Sequence, residues 1–159
     1  MAPGVAVVFI GNPIYGDDAL PLIIGEKIRD RLHGVGINVY ILEESFLEIV
    51  DLLAGRDIVI IVDSIKTGRA PLGSLILIDL MDRDAYIPKT PHYIGLPQAI
   101  SIYRELGLGP PARIYIIGIE VEDPYTLREG LSRPLMDNLD SIAREVYNKI
   151  IDLIFINRC

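Results

Sequence analysis

Short, almost wholly aliphatic runs recur along this chain, separated by amphipathic stretches. That alternation limits the possible folds more than any other feature of the sequence. The sharpest run is Ile58-Val59-Ile60-Ile61-Val62, with Asp63 directly after it. A strand apolar at every position must be covered on both faces, as in a mostly parallel sheet flanked by helices. The pattern predicts strands over residues 5–10, 37–42, 57–62, 75–78 and 113–119. A first helix should begin near Asp17 or Asp18, with Pro21 tolerated in its first turn. Leu20, Ile24, Ile28 and Leu32 repeat at helical spacing, and Gly34 and Gly36 end the run. Ser45 can cap a short helix reaching Ala54, a third helix covers residues 96–106, and Ser132 can cap one long final helix. The apolar stripe of that helix is Leu135, Leu139, Ile142, Val146, Ile150 and Ile154.

The order is therefore β-α-β-α-β-β-α-β-α. Right-handed crossovers put helices on both faces of the sheet. The expected architecture is a three-layer α/β/α sandwich around a five-stranded, mostly parallel sheet. No helix separates the third and fourth strands, so the fourth is expected to run antiparallel to the third. The 159 residues suit a single domain over 1–159. With half the residues hydrophobic, there is ample apolar material to offset chain entropy.

Charge and targeting signals narrow the function classes. Against 22 acidic residues stand 15 basic ones, a formal net charge of -7. Neither nucleic acid nor an anionic membrane is expected as a partner, since both call for clustered Lys and Arg. The one cysteine, Cys159, cannot form an internal disulfide. No basic leader precedes the first apolar run and no uninterrupted spanning stretch is seen, so a cytoplasmic protein is the expectation.

In open α/β sheets, ligands bind beyond the carboxyl ends of the strands. Three polar residues fall in loops of that kind. Asp18 follows the first strand in G-N-P-I-Y-G-D-D, Asp63 ends the third, and His92 lies in the long segment after the fourth. Two carboxylates and an imidazole make a mixed oxygen and nitrogen set suited to a divalent transition metal. Each also has a plainer reading. Asp17 or Asp18 can cap the first helix, Asp63 can make an Asx-turn, and His92 can be a surface histidine. His33 follows the first helix, where it complements the helix dipole, and has no assigned role. No G-x-S-x-G elbow, G-x-G-x-x-G turn or P-loop is present, and Cys159 is poorly placed for a Cys–His pair.

The segments G-N-P-I-Y-G-D-D, V-D-S-I-K-T-G-R-A-P-L-G-S-L and T-P-H-Y-I-G-L-P-Q-A-I resemble, in that order, the hydrogenase maturation endopeptidases. Those enzymes trim the large subunit of nickel–iron hydrogenases. The resemblance runs from the first strand to L-S-R-P-L before the final helix. It implies a phosphorylase/hydrolase-like fold and an aspartyl-endopeptidase-like hydrolase. The implied reaction removes a C-terminal extension from the large-subunit precursor after nickel insertion. Asp18, Asp63 and His92 fall on the metal-contacting and catalytic positions. The nickel would arrive with the substrate, at a site able to take another divalent transition metal in its place, and docking would put the scissile peptide beside a metal-bound water or a carboxylate base. Gly11 and Asn12 would shape the loop and bind the substrate chain, with Asp17 orienting the site. Asp18 stands where many relatives carry Glu, Ala19 where Gly is usual, and Pro71-Leu72-Gly73 in place of Pro-Gly. The expected partner is the precursor, with the protein itself a monomer or weak homo-oligomer.

Three other readings stay open at this level. One is a metal-dependent hydrolase of another substrate. Another is a receiver-like signalling module, although Glu120 stands where such modules want Lys. The third is a binding subunit that uses the apolar end of the final helix.

Overall fold

The computed structural model describes residues 4–43, 46–82, 84 and 96–158. Five strands form one sheet: β1 (Val5–Gly11), β2 (Asn38–Glu43), β3 (Ile58–Ile65), β4 (Leu75–Asp79) and β5 (Arg113–Glu120). Their spatial order is β2-β1-β3-β5-β4. Four are parallel, and β4 runs antiparallel to β5. The strands are bridged by α1 (Leu20–Gly34), α2 (Phe46–Leu53) and α3 (Leu96–Glu105), and the chain ends in α4 (Arg133–Asp137) and α5 (Leu139–Ile156).

Burial explains this order. Every residue of β1 and β3 is buried, as is every residue of β5 after Arg113. Such strands must be interior and covered on both faces. Alternation along them feeds two cores. Val7, Phe9, Ile60, Val62, Ile117 and Ile119 face α1 and α5. Val8, Ile10, Val59, Ile61, Ile114 and Ile116 face α2 and α3. The result is the expected three-layer sandwich.

Three local expectations are corrected. The fourth strand does run against the third, but its neighbour is β5. Only one residue of β4 is buried, so it suits an edge, while apolar β5 takes the interior slot. Asp17 and Asp18 do not cap α1. They lie in a 3₁₀ turn, Gly16–Ala19, and α1 starts at Leu20 with Pro21 in its first turn and no side-chain cap. Ser132 does stand at the N-cap of α4, but its side chain makes no capping bond. Its hydroxyl donates to Asp17, and the final helix is broken at Asn138, whose amide donates to the Pro134 carbonyl at 2.8 Å. The apolar stripe of that helix nonetheless packs on the sheet as expected, through Leu135, Ile142, Val146, Ile150 and Ile154. Ser45 lies outside the described residues.

Among the described residues no helix is long and apolar enough to cross a membrane.

Candidate active site

The carboxyl ends of β1 and β3 lie side by side, and the chain leaving β1 doubles back onto them. Gly11 makes this possible, because a Cβ there would lie 2.1 Å from the Asp18 carbonyl oxygen. The Asn12 carboxamide oxygen accepts the Ile14 N–H at 3.1 Å, an Asx-turn that sets the loop's course. The Asn12 backbone N–H donates to Asp18 Oδ2 at 3.0 Å. Gly11 and Asn12 thus shape the loop around Asp18.

The second oxygen of Asp18 reaches the third strand. Ser64 Oγ donates to Asp18 Oδ1 at 2.5 Å, joining residues 46 apart in the chain. Asp63 precedes Ser64, and its Oδ1 accepts the Ser64 N–H at 2.8 Å. Ser64 therefore couples the two predicted carboxylates. Both are nearly enclosed, at 7% exposure for Asp18 and 2% for Asp63. Asp63 is inside β3 and not at its end, opposite Gly118 of β5. Its parity matches Val59 and Ile61, so it belongs to the face covered by α2 and α3. His92, the third predicted ligand, lies outside the described residues. Among the described residues no three His, Cys, Asp or Glu form a metal-binding group. Asp18 and Asp63 are linked through Ser64, and their carboxylate oxygens are oriented by N–H and O–H groups. Carboxylate oxygens held in this way are donors of the kind a divalent cation takes.

Asp17 faces away from this pair and is fully buried. Its Oδ2 accepts the N–H groups of Glu122 and Asp123 at 3.2 and 3.0 Å. Its Oδ1 accepts the Ser132 N–H at 2.6 Å and lies 3.5 Å from Arg128 Nη2. The Ser132 hydroxyl completes the set. Asp17 therefore ties residues 122–132 to the turn that carries Asp18, a positioning role. In the same segment, Asp123 is held below its ordinary pKa. The Thr126 hydroxyl contributes most, then the Tyr125 N–H, with Lys66 adding a smaller attraction and desolvation opposing them.

Glu120, the acid where a receiver module wants Lys, also belongs to this edge of the sheet. It is 1% exposed at the end of β5 and shares the face of Asp63. Its Oε2 accepts the Thr67 N–H at 2.8 Å and the Gly68 N–H at 3.4 Å, and its Oε1 accepts the Thr67 hydroxyl. The signal was present, since an acid follows an aliphatic run in I-I-G-I-E as in I-I-V-D. Thr67 also lines a cleft of about 460 Å³ with Lys66, Arg69, Ala70 and Ile76.

The strand order argues against the receiver reading, because that family follows the order 2-1-3-4-5. No family model matches the sequence, and no curated protein matches it. Solved structures do share its fold. The hydrogenase maturating endopeptidase HybD from E. coli superposes with a TM-score of 0.69 at 21% identity, covering 96% of this chain and 93% of that one. HybD from Thermococcus kodakarensis, a [NiFe] hydrogenase maturation protease, gives 0.67 at 20% identity, over 94% and 99%. The hydrogenase 2 maturation peptidase from Thaumarchaeota archaeon SCGC_AB-539-E09 gives 0.64 at 17% identity, over 94% and 97%. The chain has the fold of the hydrogenase maturation proteases.

Proposed function

We propose that this protein is a hydrogenase maturation endopeptidase. It hydrolyses one peptide bond near the C-terminus of a nickel–iron hydrogenase large-subunit precursor and releases the extension beyond it. The observation that carries the reading is the Asp18–Ser64–Asp63 arrangement at the carboxyl edge of the sheet, in a fold shared with structures of that name. A serine or cysteine nucleophile is not required. In hydrolysis, water adds across the C–N bond, and a carboxylate can take the proton that the attacking water loses. Asp18 and Asp63 supply two enclosed carboxylates, and His92 is the third residue of the reading. The nickel already inserted in the precursor belongs to the substrate. It would dock on these three side chains and so restrict cutting to metal-loaded precursors.

The test is direct. The protein is mixed with nickel-loaded and nickel-free precursor from the same source, and the large subunit is weighed by mass spectrometry. Loss of a C-terminal peptide from the loaded sample alone is expected. Equal trimming of both samples would remove nickel recognition from the reading, and an intact loaded precursor would remove the peptidase itself.

A further inference from the structure

The β3–β4 loop, residues 66–74, begins three residues after Asp63 and is fastened to one residue at both ends. At its start, the Glu120 carboxylate receives the Thr67 N–H, the Thr67 hydroxyl and the Gly68 N–H. At its far end, the Gly73 N–H donates to the Glu120 carbonyl at 2.8 Å, and the Glu120 N–H donates to the Ser74 carbonyl at 2.9 Å. The turn at Gly68 has φ +69°, a left-handed conformation costly for other residues, so its shape is specified locally as well. A buried carboxylate that gathers three donors from one loop holds it firmly, because releasing any of them leaves a charged acceptor short of partners. The loop so held supplies four of the five residues that line the 460 Å³ cleft.

We propose that Glu120 is a positioning residue for the polypeptide substrate. By pinning residues 66–70 it sets the wall along which the precursor chain lies beside Asp63. The proposal rests on the endopeptidase reading for the identity of the substrate. Its work is done in binding, so its loss should raise KM and spare kcat.

Thr67→Val removes the hydroxyl donor while keeping side-chain shape, and Thr67→Ser restores the donor. Glu120→Gln alters the acceptor itself. In the free protein, hydrogen exchange at the Thr67 and Gly68 amides should be slow, and at least about tenfold faster in Glu120→Gln, because a neutral carboxamide oxygen turns two charge-assisted hydrogen bonds into ordinary ones. With loaded precursor, Thr67→Val should raise KM about fivefold to tenfold with kcat within about twofold, and Thr67→Ser should match the wild type. Precursor affinity, measured by titration in the same buffer, should follow KM. That arm separates two failures. A wild type that binds the precursor but leaves it intact sinks the endopeptidase reading only, while the affinity series still reads the loop. Unchanged exchange in Glu120→Gln, a fall in kcat at constant KM, equal losses in the Val and Ser variants, or no precursor binding by the wild type would each overturn the proposal.

Discussion

At the scale of single residues, the two central carboxylates have different surroundings and should respond differently to neutralisation. Asp18 accepts a donor on each oxygen, Asn12 N–H on one and Ser64 Oγ–H on the other. An asparagine has one acceptor oxygen, so it keeps the Asn12 N–H only if its NH₂ donates to Ser64 Oγ, whose own proton then loses its carboxylate acceptor. Asp18→Asn should cost about 1–3 kcal/mol of stability, read as a lower urea midpoint. In Asp63→Asn the carboxamide oxygen can still accept the Ser64 N–H, so the Ser64 contact can survive. Processing of loaded precursor should nonetheless fall by about a hundredfold or more, because a carboxamide is neither a base nor an anionic ligand. Full activity in that variant would end the assignment. Asp17 is the structural member of the trio. Asp17→Ala leaves the Ser132, Glu122 and Asp123 donors without their acceptor and should destabilise by about 3–5 kcal/mol, checked by denaturant melts. Asp123 lies on the same segment. Its folded pKa is depressed, so the stability it contributes is present above the ordinary carboxylate value and fades as pH falls through the lower, folded value. Thr126→Val removes the leading cause, and the Asp123 carboxyl should then titrate closer to an ordinary aspartate by NMR.

Elements were more legible than the contacts between them. The aliphatic runs give the strands directly, because a strand buried on both faces has no polar positions to disguise it. The spacing of Leu20, Ile24, Ile28 and Leu32 gives the buried face of α1. What remained hidden depends on partners far along the chain. Nothing local says that β4 pairs with β5 rather than β3. Nor does the D-D pair reveal that one carboxylate turns inward to Ser132, 115 residues on, while the other turns to Ser64. Asp63 is conspicuous because an acid directly follows an aliphatic run, and Asp18 because it closes the loop G-N-P-I-Y-G-D-D. Glu120 carries the same signature as Asp63, an acid directly after an aliphatic run, but its role depends on donors more than 50 residues away in the chain. Packing between elements also yields a prediction at this scale. A Cβ on Gly25 would lie 2.8 Å from Phe9 Cγ and 3.1 Å from Ile41 Cδ1, so α1 sits on β1 and β2 at a distance only glycine permits. Gly25→Ala raises helix propensity, yet it should lower stability by about 1–3 kcal/mol, since overpacking a tight core outweighs the propensity gain. A higher melting temperature in that variant would mean that the helix can lift off the sheet at little cost.

For the whole molecule, the sheet gathers its buried acids at one edge, on a chain of net charge -7. Divalent cations will therefore be attracted to the protein generally, and a specific site must be distinguished from this background. Salt provides the separation. At about 0.15 M ionic strength, exposed charges are screened beyond about 8 Å, whereas a coordinating pair in direct contact with an ion is not. If Asp18 and Asp63 receive the metal borne by the precursor, a free divalent ion should occupy the same place and exclude it. Zinc, which accepts carboxylate and imidazole ligands, is a suitable probe. Added zinc should raise the apparent KM for nickel-loaded precursor and leave the maximal rate unchanged at saturating precursor. Calorimetric titration in the same buffer should show one zinc site in the wild type that is lost in Asp63→Asn, with weak background binding common to both. Zinc that lowers the maximal rate without competing, or binds Asp63→Asn as tightly as the wild type, would place the ion elsewhere. The acidic edge would then act through its charge alone, not as the seat of the substrate's metal.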